Sequence, residues 1–151
     1  PLHWNSLHFV AWLFEKEKLA CKPAFTMNLM QWLIVFAGGG IGSLLRYVLG
    51  IIITNQKHFY LGTLCANLMA AFMIGIFYHQ YQLDSARAWY RLFFITGVCG
   101  GLSTFSTLSH ENLILIQESR WTELLLYSVL SIVTGVLLVW AGYRAGQWWV
   151  G

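Results

Sequence analysis

Four long apolar runs joined by short polar connections fill most of the sequence, and they restrict the fold more than any other feature. They extend over about Leu29–Ile53, Leu61–Tyr78, Leu92–Ile116 and Thr122–Gln147. A helix needs about 20 apolar residues to cross a bilayer. Backbone groups in lipid must be satisfied within the segment, so each run is expected to be a helix. The chain therefore reads as an all-α integral membrane protein with four transmembrane helices. Only 10% of its residues are charged and 58% are hydrophobic. A soluble domain carries about 25% charged residues, so an ordinary soluble fold and a disordered chain are both excluded. The net charge of +3 comes from nine basic and six acidic residues scattered along the chain. No basic cluster is present to track phosphates, so no nucleic-acid partner is expected.

Residues 1–26 differ from the rest. The apolar stretch Trp4–Phe14 is too short to span and is followed by Glu15, Lys16, Glu17, Lys18 and Lys22. It is expected to be a non-native extension before Met27 or an amphipathic helix at the membrane interface. Residues 27–151 then form the functional domain. Cys21, Cys65 and Cys99 show no metal or disulfide spacing and are expected to pack as small apolar groups. The histidines His3, His8, His58, His79 and His110 are dispersed without a nucleophile nearby, so no enzyme is expected.

Charge flanking the spans gives no preferred orientation. Arg87, Arg91 and Arg144 lie on one side; Lys57, Arg120 and an outward-reaching Arg46 lie on the other. Without a bias the chain can insert both ways, and two opposed copies can pair. Counting Lys16, Lys18 and Lys22 as native weakens that balance.

Polar residues inside the spans carry the functional signal. Gly38, Gly42, Arg46 and Gly50 form one stripe on the first helix, and an arginine within an apolar run marks a functional site or snorkels to the interface. Thr63 and Asn67 share a face of the second helix. There the Asn67 amide either bonds across helices or donates to a passing ion. Ala71 and Gly75 form a close-packing pair. The third span holds Thr96-Gly97-Val98-Cys99-Gly100-Gly101-Leu102-Ser103-Thr104-Phe105-Ser106-Thr107-Leu108-Ser109. Adjacent glycines weaken the helix where hydroxyls can bind freed backbone groups, so a break is expected near Gly100–Ser106. Such a break exposes carbonyls suited to a cation, while Ser106 and Thr107 offer donors suited to an anion. Phe105 and Leu108 share a face beyond it. Glu111 follows one turn later: as an intramembrane carboxylate it suggests proton or cation coupling, and the alternatives are a place near the interface or a pairing with Arg46. On the fourth helix Ser128, Ser131 and Gly135 share a face, and Trp140, Trp148 and Trp149 anchor its end.

These features suit a channel for a small, strongly hydrated anion, whose water is replaced by hydroxyls, an amide and ring edges without fixed charge. Two other readings stay open. A small proton-coupled cation or multidrug exporter needs a carboxylate in the membrane core, and a non-transporting assembly subunit would need no hydroxyl track.

Three runs carry a resemblance. They are Gly38-Gly39-Gly40-Ile41-Gly42-Ser43-Leu44-Leu45-Arg46-Tyr47, Leu61-Gly62-Thr63-Leu64-Cys65-Ala66-Asn67, and Gly97–Thr107 of the third span. In this order they resemble the CrcB/Fluc fluoride channels, over about Met27 to Gly151. The resemblance implies a dual-topology, antiparallel homodimer in the cell membrane, with two pores that release cytoplasmic fluoride passively. It implies a structural sodium ion at the dimer centre, held by the carbonyls of Gly100 and Ser103. It puts the pore on Asn67, Phe105 and position 108, with Thr107 on a polar track, Arg46 in the vestibule and Glu111 beside the pore. Thr63, Ser106 and Ser131 are the further hydroxyls expected along it. Leu108 departs from the family's phenylalanine, and Ser103 from its threonine.

Overall fold

A computed structural model describes residues 28–54, 58–83 and 88–150. The expectation for residues 1–26 lies outside the described residues, as do Lys57 and Arg87 of the charge count. The described residues form four membrane-length helices, Leu29–Ile53, Leu61–Leu83, Ala88–Gln117 and Trp121–Trp148, each apolar enough to cross a bilayer. Helix α1 is Leu29–Ile53 and α2 is Leu61–Leu83. The third span is composite. It starts as α3 (Ala88–Tyr90), widens into a π-helical stretch (Arg91–Cys99), and tightens again as α4 (Gly100–Leu102). After the break it resumes as α5 (Phe105–Gln117), and α6 (Trp121–Val150) follows.

The break falls where the paired glycines and hydroxyls point. Ser103 (φ −86°, ψ 148°) and Thr104 (φ −151°, ψ 119°) are extended. Two consecutive extended residues interrupt the hydrogen-bond ladder, which a simple kink would not. Rare π-helical segments gather at functional sites, and here one leads into the break.

Two spans run further than their apolar runs suggest. The second continues past Tyr78 to Leu83, and the third begins at Ala88 instead of about Leu92. His79 explains the first difference. Its polar ring marks an end in the sequence, yet it is buried beneath Gly146 of α6 and meets the Tyr143 ring edge-on at 5.2 Å. A polar side chain covered by a neighbouring helix need not end a span.

Packing is set by small residues. Gly38 lies against the Gly97 backbone, and Gly42 against Val98 and Leu102, so the α1 stripe docks on the third span just before its break. Gly75 of α2 faces the backbone of Val139 and Tyr143, while Gly142 of α6 faces Phe72. In lipid, helix association depends on such close approach, because the hydrophobic effect no longer separates protein from solvent. A small core of Ala66, Ala70 and Leu102, with Leu49 and Met73 beside it, joins α1, α2 and α4. The opposite surfaces are apolar and exposed: Leu125, Val129, Ile132, Val136 and Trp140 follow one another down α6 at helical spacing, suited to lipid.

Candidate functional site

The break is organised by Asn67. Its Oδ1 accepts the Thr104 N–H at 2.8 Å, and its Nδ2 donates to the Thr104 carbonyl at 3.5 Å. One amide thus serves both backbone groups of a residue that left the helix. Of the two readings of Asn67, the cross-helix bond is present. Thr104 in turn caps α5: its Oγ1 accepts the Thr107 N–H and hydroxyl, each at 3.3 Å, and shares a 2.9 Å bond with Ser106 Oγ.

These bonds redirect two donors. In an unbroken helix the Thr104 N–H would reach the Gly100 carbonyl, and the Thr107 N–H would reach that of Ser103. Instead they go to Asn67 and Thr104. The carbonyls of Gly100 and Ser103 are thus among those that lose a helical donor at the break. Ser103 Oγ folds back onto the Cys99 carbonyl at 3.0 Å, and Ser109 Oγ onto that of Phe105 at 2.9 Å. These two hydroxyls stabilise their own helices.

About two turns beyond the break, Glu111 is buried with 7% of its surface exposed. Thr63 Oγ1 donates to one carboxylate oxygen at 2.7 Å, and the Tyr127 hydroxyl donates to the other at 2.6 Å. The hydrogen bonds of Glu111 thus go to α2 and α6, and not to Arg46. Arg46 nonetheless shares a space with it. A cavity of about 330 Å³ is lined by Arg46, Tyr47, Thr54, Phe59, Thr63 and Glu111, among others. A guanidinium on one wall and a buried carboxylate with its hydroxyl donors on another give this cavity polar chemistry at membrane depth.

The end of the cavity is fixed outside the apolar runs. Arg120 binds Glu123 through two nitrogens, at 2.9 and 2.6 Å, and Glu118 through a third at 2.8 Å. Tyr60 donates to Glu123 at 2.8 Å, and the Arg120 guanidinium lies 5.8 Å over the ring of Phe59, itself a cavity wall. The cluster ties the α1–α2 connection to the α5–α6 turn. Burial, then the bond to Glu123, raises the Tyr60 pKa above its ordinary value. The hydrogen bonds that Arg120 donates to Glu123 and Glu118 raise its own pKa above the ordinary value.

The remaining candidates divide. Thr63, Ser106 and Thr107 join the polar network around the break. Phe105 does not: four-fifths of its surface is exposed, next to the break and away from its own chain. Leu108 is half-buried. Ser131 is shut off from solvent, with no hydrogen-bond partner among the described residues for its hydroxyl. Two important residues were missed. Thr104 was seen only as one hydroxyl in a rich run. Tyr127 was passed over as an aromatic, although its position four residues before Ser131 puts it on the hydroxyl face of α6.

Comparison with known proteins identifies the family. Residues 33–143 match the family described as "CrcB-like protein, Camphor Resistance (CrcB)". A protein of Pyrococcus abyssi named "Fluoride-specific ion channel FluC" is 38% identical over 119 residues, covering 78% of this chain and 96% of its own. A Thermus thermophilus protein of the same name is 39% identical over 127 residues, covering 83% of this chain and all of its own. The "Fluoride-specific ion channel FluC 1" of Staphylococcus aureus is 37% identical over 142 residues, covering 89% of both chains. The matched region holds all four spans, the break and its Asn67 bridge, and the chain accordingly belongs to the CrcB family.

Proposed function

We infer that this protein is a multi-pass membrane channel selective for fluoride. The observation that carries this reading is the set of uncharged donors gathered at the third-span break, in a chain whose relatives are named fluoride-specific channels. Fluoride is small and holds its water tightly. Hydroxyls, an amide and ring edges replace that water without the fixed positive charge that would trap the ion. Ser106, Thr107 and Ser131 supply the hydroxyls, Asn67 the amide and Phe105 the ring edge, while the Thr63 hydroxyl is committed to Glu111. Arg46 draws the anion into the vestibule beside Glu111, while the carboxylate, held by Thr63 and Tyr127, keeps its charge turned toward its own donors. Family membership removes the proton-coupled exporter reading.

Homodimerisation is the second part of the proposal. Phe105 is largely exposed beside polar backbone, and a Cβ added at Gly40 or Gly100 would meet nothing closer than 3.9 Å within the chain. A second copy, inserted the other way round, would cover this face and complete the pore at Phe105. The carbonyls of Gly100 and Ser103 from two such copies would be the groups to hold a sodium ion between them. The fit rests on the break: the carbonyls of Gly100 and Ser103 lose their helical donors, and alkali cations take carbonyl oxygens. When bound, sodium would neutralise these oxygens and hold the two breaks together.

Fluoride-sensitive bacteria test the whole proposal. Expression of this chain should restore growth in fluoride, and Phe105→Ile should abolish the rescue while the protein still reaches the membrane. Equal growth with and without the chain would refute the reading.

A further inference from the structure

The pathway described above leaves a polar group unused between α5 and α6. Asn112 Nδ2 donates to Ser128 Oγ at 3.0 Å, in step with the neighbouring bond between Tyr127 and Glu111. The two pairs fix the antiparallel register of the helices and place Ser131, one turn along α6, opposite Leu108. Asn112 Oδ1 and Ser131 Oγ are both shut off from solvent, yet neither has a hydrogen-bond partner among the described residues. Native structures keep such groups where water, an ion or a functional role satisfies them. Two of them within a turn of each other, inside membrane-spanning helices, point to an occupant.

The geometry of α5 says where that occupant lies. Phe105, Leu108 and Asn112 are spaced i, i+3 and i+7, so they share one face. An anion passing Phe105 meets at Leu108 a side chain with no donor. The next donor along that face is Asn112, with Ser128 across from it and Ser131 one turn back along α6, opposite Leu108. The amide is also adaptable. Turned by 180°, it accepts from the Ser128 hydroxyl through Oδ1, and both N–H groups then point where Oδ1 lay. The site thus presents an acceptor to water in one orientation and two donors to an anion in the other.

We propose that Asn112 coordinates fluoride, forming with Ser128 and Ser131 a donor site on the conduction path one helical turn beyond Leu108. This rests on the fluoride-channel reading, and the test keeps the two apart. Purified protein is placed in liposomes, and initial efflux is measured against internal fluoride concentration. An inert wild type would defeat the channel reading itself. With an active wild type, Asn112→Leu should lower efflux by at least about tenfold, the loss expected for one hydrogen bond to a charged group. Asn112→Asp should lower it further, through repulsion. Asn112→Ser, which keeps a donor, should remain within about threefold of wild type. Asn112→Leu that elutes as wild type and retains its rate and half-saturating concentration would overturn the proposal. Where Asn112→Leu does not assemble, Ser128→Ala decides: a raised half-saturating fluoride concentration supports the site, and an unchanged one overturns it.

Discussion

Asn67 shows how one residue links the fold to its chemistry. Its amide holds the Thr104 backbone on both sides, so the break depends on a side chain from another helix. Asn67→Leu would leave the Thr104 N–H buried and unpaired, a cost of about 1–3 kcal/mol. The melting temperature in detergent should fall accordingly, and fluoride efflux should fall with it. A variant as stable as wild type would show that the break is held by other contacts. Glu111 depends on two donors in the same way. Thr63→Val and Tyr127→Phe each remove one, and each should destabilise the protein while the surface substitution Trp148→Ala leaves it unchanged within about 0.5 kcal/mol. Tyr60 provides a pH test. Its folded pKa is raised, so its contribution is complete below its ordinary value of 10.0 and is lost as pH rises through the folded value. The melting-temperature difference between wild type and Tyr60→Phe should stay constant up to about pH 10 and close above it. A gap that narrows at neutral pH would contradict the Tyr60–Glu123 bond.

The third span divides into what its sequence announces and what only a neighbour determines. Gly100-Gly101 followed by Ser103 and Thr104 marks an interruption, because glycine weakens a helix and hydroxyls satisfy its ends. The extended residues fall within that stretch. The cap on α5 obeys the same local chemistry, and Thr104→Val should cost about 1 kcal/mol. The preceding π-helical turn has no comparable sequence mark. The C-terminal end of α2 was also hidden, since a histidine looks polar until Gly146 and Tyr143 are seen to cover it. Glu111 was visible as an intramembrane carboxylate, but its partners depend on how α2 and α6 rotate about α5. Close packing of α1 was legible in its glycine stripe. Gly42→Leu would drive a side chain into the Val98 backbone and force α1 off the span just ahead of the break. Loss of a monodisperse peak on gel filtration is the expected result.

At the scale of the molecule, the scarcity of charge and the exposed face around Gly100 and Phe105 would share one explanation in the proposed paired channel. The described helices bury little of their own surface, and the Phe105 ring beside the break is four-fifths exposed. Gly100→Cys, in a background with Cys21, Cys65 and Cys99 replaced by serine, should cross-link into a dimer in membranes, whereas Trp148→Cys on the same background should not. Failure of Gly100→Cys to cross-link would remove Gly100 from the contact between copies. The central claim is selective permeation by fluoride. Its most direct test is efflux from liposomes containing the wild-type protein and loaded in parallel with fluoride or chloride, each followed with an ion-selective electrode. The account predicts rapid passive loss of fluoride with chloride retained; equal loss of both ions, or retention of both, would contradict it.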